Sequence, residues 1–145
     1  MRSAERTAGP AAAIVLVLAA LAFPSAAFAG LPTTCPSASL VNATLGQKVK
    51  SPTVVHSTYY TMCTYAGGGP VPTKVTFQMD TASTFAASEK AVAALGPVNV
   101  HGLGKAAWTL KGGGDLYVFT GSYTIKIVSP LTPSAKLEAL ARKLL

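Results

Sequence analysis

Side chains able to carry acid–base, nucleophilic or metal chemistry are few in this sequence, and each sits where a structural role also accounts for it. Beyond residue 29 there are four acids, Asp80, Glu89, Asp115 and Glu138, and two imidazoles, His56 and His101. Paired-carboxylate catalysis needs two acids held a few ångströms apart. Asp80 suits a helix cap, Glu89 and Glu138 fall mid-helix and Asp115 falls in a turn, so nothing in their placement pairs any two of them. A Ser-His-Asp hydrolase of the elbow type carries its serine in Gly-x-Ser-x-Gly, and the chain has no such run. The segment His101-Gly102-Leu103-Gly104-Lys105-Ala106 evokes a phosphate loop. It fails in detail, because Asn99 stands five residues before Gly104 and Ala106 replaces the Ser or Thr that binds magnesium. Two glycines leading into a strand explain the segment better. No catalytic residue, metal ligand or cofactor is assigned, and the chain reads as non-enzymatic.

Cys35 and Cys63 are the only cysteines. A redox site would want Cys-x-x-Cys, and zinc would want further Cys or His at ligand spacing. Neither pattern occurs, and an even count in an exported chain reads as a structural disulfide. Chain entropy values such a bridge at roughly 3–4 kcal/mol for a loop of this length.

Export is read from the N-terminus. Arg2 and Arg6 form a basic start, Ala11 to Phe23 is an apolar run of 13 residues, and Ala27 and Ala29 are the small residues a signal peptidase needs before Gly30. The run is too short to span a bilayer, which takes roughly 20 apolar residues. Pro32-Thr33-Thr34 before Cys35 lacks the small residue and the leucine that lipidation requires. The expected organisation is a signal peptide over 1–29, a leader over 30–36 and one domain over 37–145, with no membrane span after cleavage. Its expected location is secreted, in the cell envelope or outside it.

The net charge of +7 over 145 residues invites a nucleic-acid reading. Lysines 48, 50, 74, 90, 105, 111, 126, 136 and 143 are instead scattered about one per element, with Arg142 the only arginine among residues 30–145. Proteins that read nucleic acid use arginine and clustered basic stripes, so nucleic acid is set aside as a partner. Dispersed lysine reads as a solvated surface, with attraction to an anionic envelope component as the sharper alternative. Much of the mean hydropathy of +0.41 belongs to the N-terminal apolar run.

The elements that must position these residues follow from periodicity and punctuation. Ser37 to Leu45, closed by Gly46, predicts a short helix, and the Asn42-Ala43-Thr44 sequon inside it reads as chance. Thr58 to Ala66 and the alternating Val75, Phe77 and Met79 predict a hairpin across Gly67-Gly68-Gly69-Pro70. Asp80 or Thr81 caps a helix to Leu95 with Phe85, Val92 and Leu95 on one face. A loop over Val98 to Gly104 precedes a meander of Lys105–Leu110, Leu116–Thr120 and Tyr123–Val128. The run Leu116-Tyr117-Val118-Phe119 is apolar on both faces, so it is either a covered central strand, the favoured reading, or an open face presenting Tyr117 and Phe119. Thr132 as N-cap and Pro133 at the first position open a last helix with a stripe of Leu137, Leu140, Ala141 and Leu144 and an exposed Glu138–Arg142 pair. The expected fold is α+β, a mostly antiparallel sheet of about five strands with packed helices in the order αββαβββα.

Cys35, Leu40 and Leu45-Gly46, then Cys63-Thr64-Tyr65, Gly102-Leu103-Gly104-Lys105-Ala106-Ala107 and Leu137-Glu138-Ala139-Leu140-Ala141 together resemble a family of small exported actinobacterial domains. Members are commonly lipoproteins of mycobacteria and streptomycetes. The resemblance covers roughly 35–145 and implies export and a Cys35–Cys63 bridge, while the missing lipidation signal separates this chain from tethered members. The family has no assigned activity. The expected function is therefore an exported binding domain of the cell envelope or extracellular space whose partner is a protein or an anionic envelope component. Tyr59, Tyr60, Trp108, Tyr117 and Phe119 are its candidate anchors, since exposed aromatics make interface anchors. The alternative is a small-molecule carrier with an apolar pocket between helix and sheet, lined by Phe77, Phe85 and Trp108.

Overall fold

The computed structural model describes residues 30–145. The proposed signal peptide and its Ala27 and Ala29 lie outside the described residues, and Gly30 is the first of them.

The chain forms α1 (Ala38–Leu45), β1 (Thr53–His56), β2 (Tyr60–Tyr65), β3 (Thr73–Met79), α2 (Ala82–Ala91), β4 (Pro97–Asn99), β5 (Ala106–Leu110), β6 (Asp115–Phe119), β7 (Tyr123–Val128) and α3 (Ser134–Leu144), with a single 3₁₀ turn at Ala93–Leu95. The seven strands make one sheet in the order β1-β2-β3-β7-β6-β5-β4, every pairing antiparallel. Two meanders, β1 to β3 and β4 to β7, are thus joined where β7 returns to lie beside β3. The expected α+β class stands, but the count of about five strands and the order αββαβββα are corrected to seven strands in the order αβββαββββα. The two missed strands are the sheet edges. All four residues of β1 are exposed, and β4 has three residues beginning at Pro97, so neither shows the alternating burial that betrays a half-covered strand.

Alternation divides the sheet into two unlike faces. On one, the cross-strand row Cys63–Val75–Ile127–Leu116 is fully buried beneath α1 and α3. Leu137, Leu140 and Ala141 of α3 are fully buried in this core. Burying a leucine side chain stabilises by about 1.5–3 kcal/mol, so this stripe holds α3 in place. The Cys35–Cys63 disulfide ties the segment before α1 to the same face, with Cα atoms 5.7 Å apart. The other face is covered only by α2, which contributes one buried side chain, Phe85.

Local signals place the helix ends. Ser37 Oγ accepts the Leu40 N–H at 3.2 Å to start α1, and Gly46 donates its N–H to Asn42 O at 2.9 Å to end it. The Asn42 side chain is occupied: Oδ1 accepts from Val49 N at 2.6 Å and Nδ2 donates to Val49 O at 3.1 Å. The sequon asparagine thus has a structural role of its own.

Two helix ends differ from expectation. The second helix stops at Ala91 and gives way to the 3₁₀ turn, which leaves Leu95 exposed rather than on a shared face with Phe85. Pro133 occupies the N-cap of α3 instead of its first position, and the Thr132 hydroxyl bonds Ser129 Oγ at 2.8 Å and accepts from the Gln47 amide at 3.1 Å rather than capping the helix. The expected Glu138–Arg142 pair does form, at 3.7 Å.

Candidate functional site

The aromatic cluster lies on the α2 side of the sheet, and strand register builds it. Trp108 on β5 faces Tyr117 on β6, which faces Lys126 on β7, and the row continues through Thr76 and Met62 to Val55 on the edge. Trp108 and Tyr117 stack at 3.7 Å between ring centroids, 15° from parallel, and the Lys126 ammonium lies 4.9 Å from the centre of the Tyr117 ring. Phe85 comes down from α2 onto Phe119 at 5.6 Å and Trp108 at 6.3 Å. Such contacts add about 0.5–1.5 kcal/mol per aromatic pair beyond the area they bury.

Between α2 and this row runs a cleft of about 320 Å³. Trp108, Tyr117 and Lys126 line it from the sheet, and Phe85, Ser88 and Val92 line it from α2 and its C-cap. Gln78, Asp80 and Thr124 complete its polar rim. Asp80 is engaged on both oxygens: Oδ2 accepts the Thr124 hydroxyl at 2.6 Å and Oδ1 accepts the Thr81 N–H at 2.9 Å. Lys126 forms no ion pair among the described residues. It does act at a distance on Asp115, whose carboxyl is pushed up by burial and drawn down by the lysine charge.

Trp108 carries the cleft's most informative atom. The residue is 1% exposed, and its Nε1 is the one buried side-chain nitrogen or oxygen among the described residues without a hydrogen-bond partner. A buried donor left unpaired costs about 1–3 kcal/mol.

The five anchor candidates separate. Tyr59, 72% exposed, and Tyr60 lie at the turn between β1 and β2. Trp108 and Phe119 are buried under α2, and Tyr117 is half-buried between Trp108 and Lys126. Leu116 and Val118 are fully buried on the opposite face, so β6 is the covered central strand. Of the pocket residues expected from sequence, Phe85 and Trp108 line the cleft, whereas Phe77 points to the α1–α3 side and packs in that core. Lys126 was missed as a cleft residue. Its signal was the nine-residue spacing of Trp108, Tyr117 and Lys126, which two short hairpins convert into one row.

The histidines lie apart from this cleft. His56 Nδ1 is 2.7 Å from Thr61 Oγ1 on the α1–α3 side of the outer strands, and His101 lies in the turn after β4. That turn matches the glycine reading: Gly102 and Gly104 have positive φ, and Leu103 between them is buried. A second concavity of about 520 Å³ sits near the other end of the sheet between Gly68–Val71 and Pro130–Leu131. Leu131 there is 95% exposed with φ +66°.

Compared with known proteins, the chain matches no family model, no curated protein and no solved structure.

Proposed function

We propose that the chain is an exported, non-enzymatic binding domain of the bacterial cell envelope or extracellular space, and that it carries a small molecule between α2 and the sheet. The disulfide supports an extracytoplasmic location, since such bonds persist in oxidising compartments. The cleft supports the carrier reading. At about 320 Å³ it falls in the range of small-ligand sites, with an aromatic floor and a few polar groups. The observation that carries the reading is the buried Trp108 Nε1–H, which has no acceptor among the described residues.

Two experiments test the two halves. Mass spectrometry of the secreted protein should show an N-terminus at Gly30 and a two-proton deficit from the bridge; an intact residue 1–29 segment would refute export by cleavage. For binding, the uncharged probe N-phenyl-1-naphthylamine should accept excitation energy from Trp108, the single tryptophan, in a saturable way. Ala91→Phe, which fills the cleft wall, should abolish the transfer. No saturable transfer, or equal transfer in the variant, would refute the carrier reading.

Tyr59 and Tyr60 favour a second reading, contact with a protein or anionic envelope component through the outer strands, because both are exposed. Under it, a Tyr59→Ser/Tyr60→Ser variant loses retention on envelope fractions while keeping the fluorescent probe.

A further inference from the structure

Two donor-bearing residues of the cleft, Trp108 and Lys126, have no partner among the described residues. Trp108 Nε1–H is unpaired, and the Lys126 ammonium has no hydrogen bond or ion pair among the described residues. The rim carboxylate, Asp80, is engaged on both oxygens, by the Thr124 hydroxyl and the Thr81 N–H, and the Ser88 hydroxyl donates to Thr84 O at 3.0 Å. Gln78 adds two N–H donors and two acceptor lone pairs and leaves the balance unchanged. A ligand that completes this set brings acceptors and negative charge, whereas a cation would meet the Lys126 ammonium.

Shape narrows the class further. The floor is a pair of stacked rings, and Phe85 and Val92 close the cleft from the helix side, so the body that fits between them is flat and apolar.

Access narrows the mechanism. The surface of Trp108 Nε1 is closed to solvent, so an acceptor reaches it only when the wall above moves. That wall is α2, held to the sheet by Phe85 as its one buried side chain. Its N-terminal end is fixed, with the Thr81 side chain accepting the Thr84 N–H and Asp80 bonded to Thr124. The end that carries Ala91 and Val92 over the cleft has no side-chain hydrogen bond and is held by half-buried Val92, which packs on the Phe85, Trp108 and Phe119 cluster. Elements with few buried contacts open at the lowest free-energy cost.

We infer that the cleft takes a small organic anion with a flat apolar body, its acceptor atoms held by Lys126 and the Trp108 indole N–H, and that the C-terminal end of α2 swings outward to admit it. The inference rests on reading this cleft as a ligand site.

Isothermal calorimetry with 2-naphthoate, 2-naphthamide and 2-naphthylmethylammonium tests the class, because the three probes share a ring and differ in charge. Naphthoate should bind about tenfold tighter than naphthamide, the scale of one hydrogen bond to a charged group. The ammonium should bind more weakly than either. Lys126→Gln should erase the naphthoate advantage and leave naphthamide within about twofold, since the indole N–H and the apolar walls are untouched. Equal binding of naphthoate and the ammonium, or an advantage that survives Lys126→Gln, overturns the anion class while the carrier reading stands. Saturable binding of the uncharged fluorescent probe with no heat from any naphthalene probe also overturns the class alone. Failure of all four probes overturns both.

Discussion

The Tyr65 hydroxyl donates to Pro36 O at 2.6 Å from a side chain wholly buried under α1 and α3. Burial disfavours the phenolate and pushes its pKa from 10.0 up to about 12. The sign follows from linkage: between those two pH values the unfolded chain has lost the proton and the folded chain has kept it. The stabilisation is therefore complete below pH 10 and is lost as pH rises toward 12, at about 1.4 kcal/mol per pH unit. Tyr65→Phe should lower stability near pH 8 by about 1 kcal/mol, the worth of one hydrogen bond. It should also flatten the alkaline fall, which urea midpoints measured from pH 8 to 12 would reveal. Parallel curves for the two proteins would show that Tyr65 does not set the slope. This hydrogen bond was not legible in the sequence, where Tyr65 reads as a strand residue in the Cys63-Thr64-Tyr65 run, because its partner is a backbone carbonyl 29 residues away.

Among the elements, legibility tracked burial. β3, β5, β6 and β7 could be read because their core-facing residues alternate with wetter ones or run apolar on both faces. The edges β1 and β4 could not, since exposure imposes no pattern on Thr53–His56 or on Pro97–Asn99. Phe85 and Trp108 were legible as pocket residues, but Phe77 was not separable from them. One step of strand parity decides which face a residue joins, and the register linking the two meanders is not written in either one. The glycine turn into β5 makes the point at atomic scale. A Cβ on Gly104 would lie 2.6 Å from Phe119 O and 2.8 Å from Val118 Cγ1, while one on Gly102 would meet open space, and both residues have positive φ. Gly102→Ala should cost about 1 kcal/mol of backbone strain, and Gly104→Ala about 1–3 kcal/mol more from the added clash. Thermal unfolding of the two variants checks the order, and equal costs would show that the β5–β6 edge yields freely there.

At the scale of the molecule, the sheet separates the stapled core from the cleft proposed as a binding site. The disulfide, α1 and α3 occupy one face, while the aromatic row and its light cover α2 occupy the other. Replacing Cys35 and Cys63 by serine should lower stability by roughly 3–4 kcal/mol while changing the affinity of the cleft less than about twofold, because distant sites with no shared partners act independently. Denaturant titration and calorimetry on the same variant measure both quantities, and a large loss of affinity would show that the two faces are coupled. The net charge of +7 fits the same division, with most lysines dispersed in solvent and Lys126 set apart by its place in the aromatic row. The most direct measurement is the indole N–H resonance in a ¹⁵N-labelled protein, since Trp108 is the only tryptophan and gives a single signal. With saturating 2-naphthoate, that resonance should move downfield and its exchange with solvent should slow as Nε1 gains an acceptor. An indole signal that stays in place while the backbone amides of Phe85 and Tyr117 respond to the ligand would contradict the assignment of Trp108 as the waiting donor.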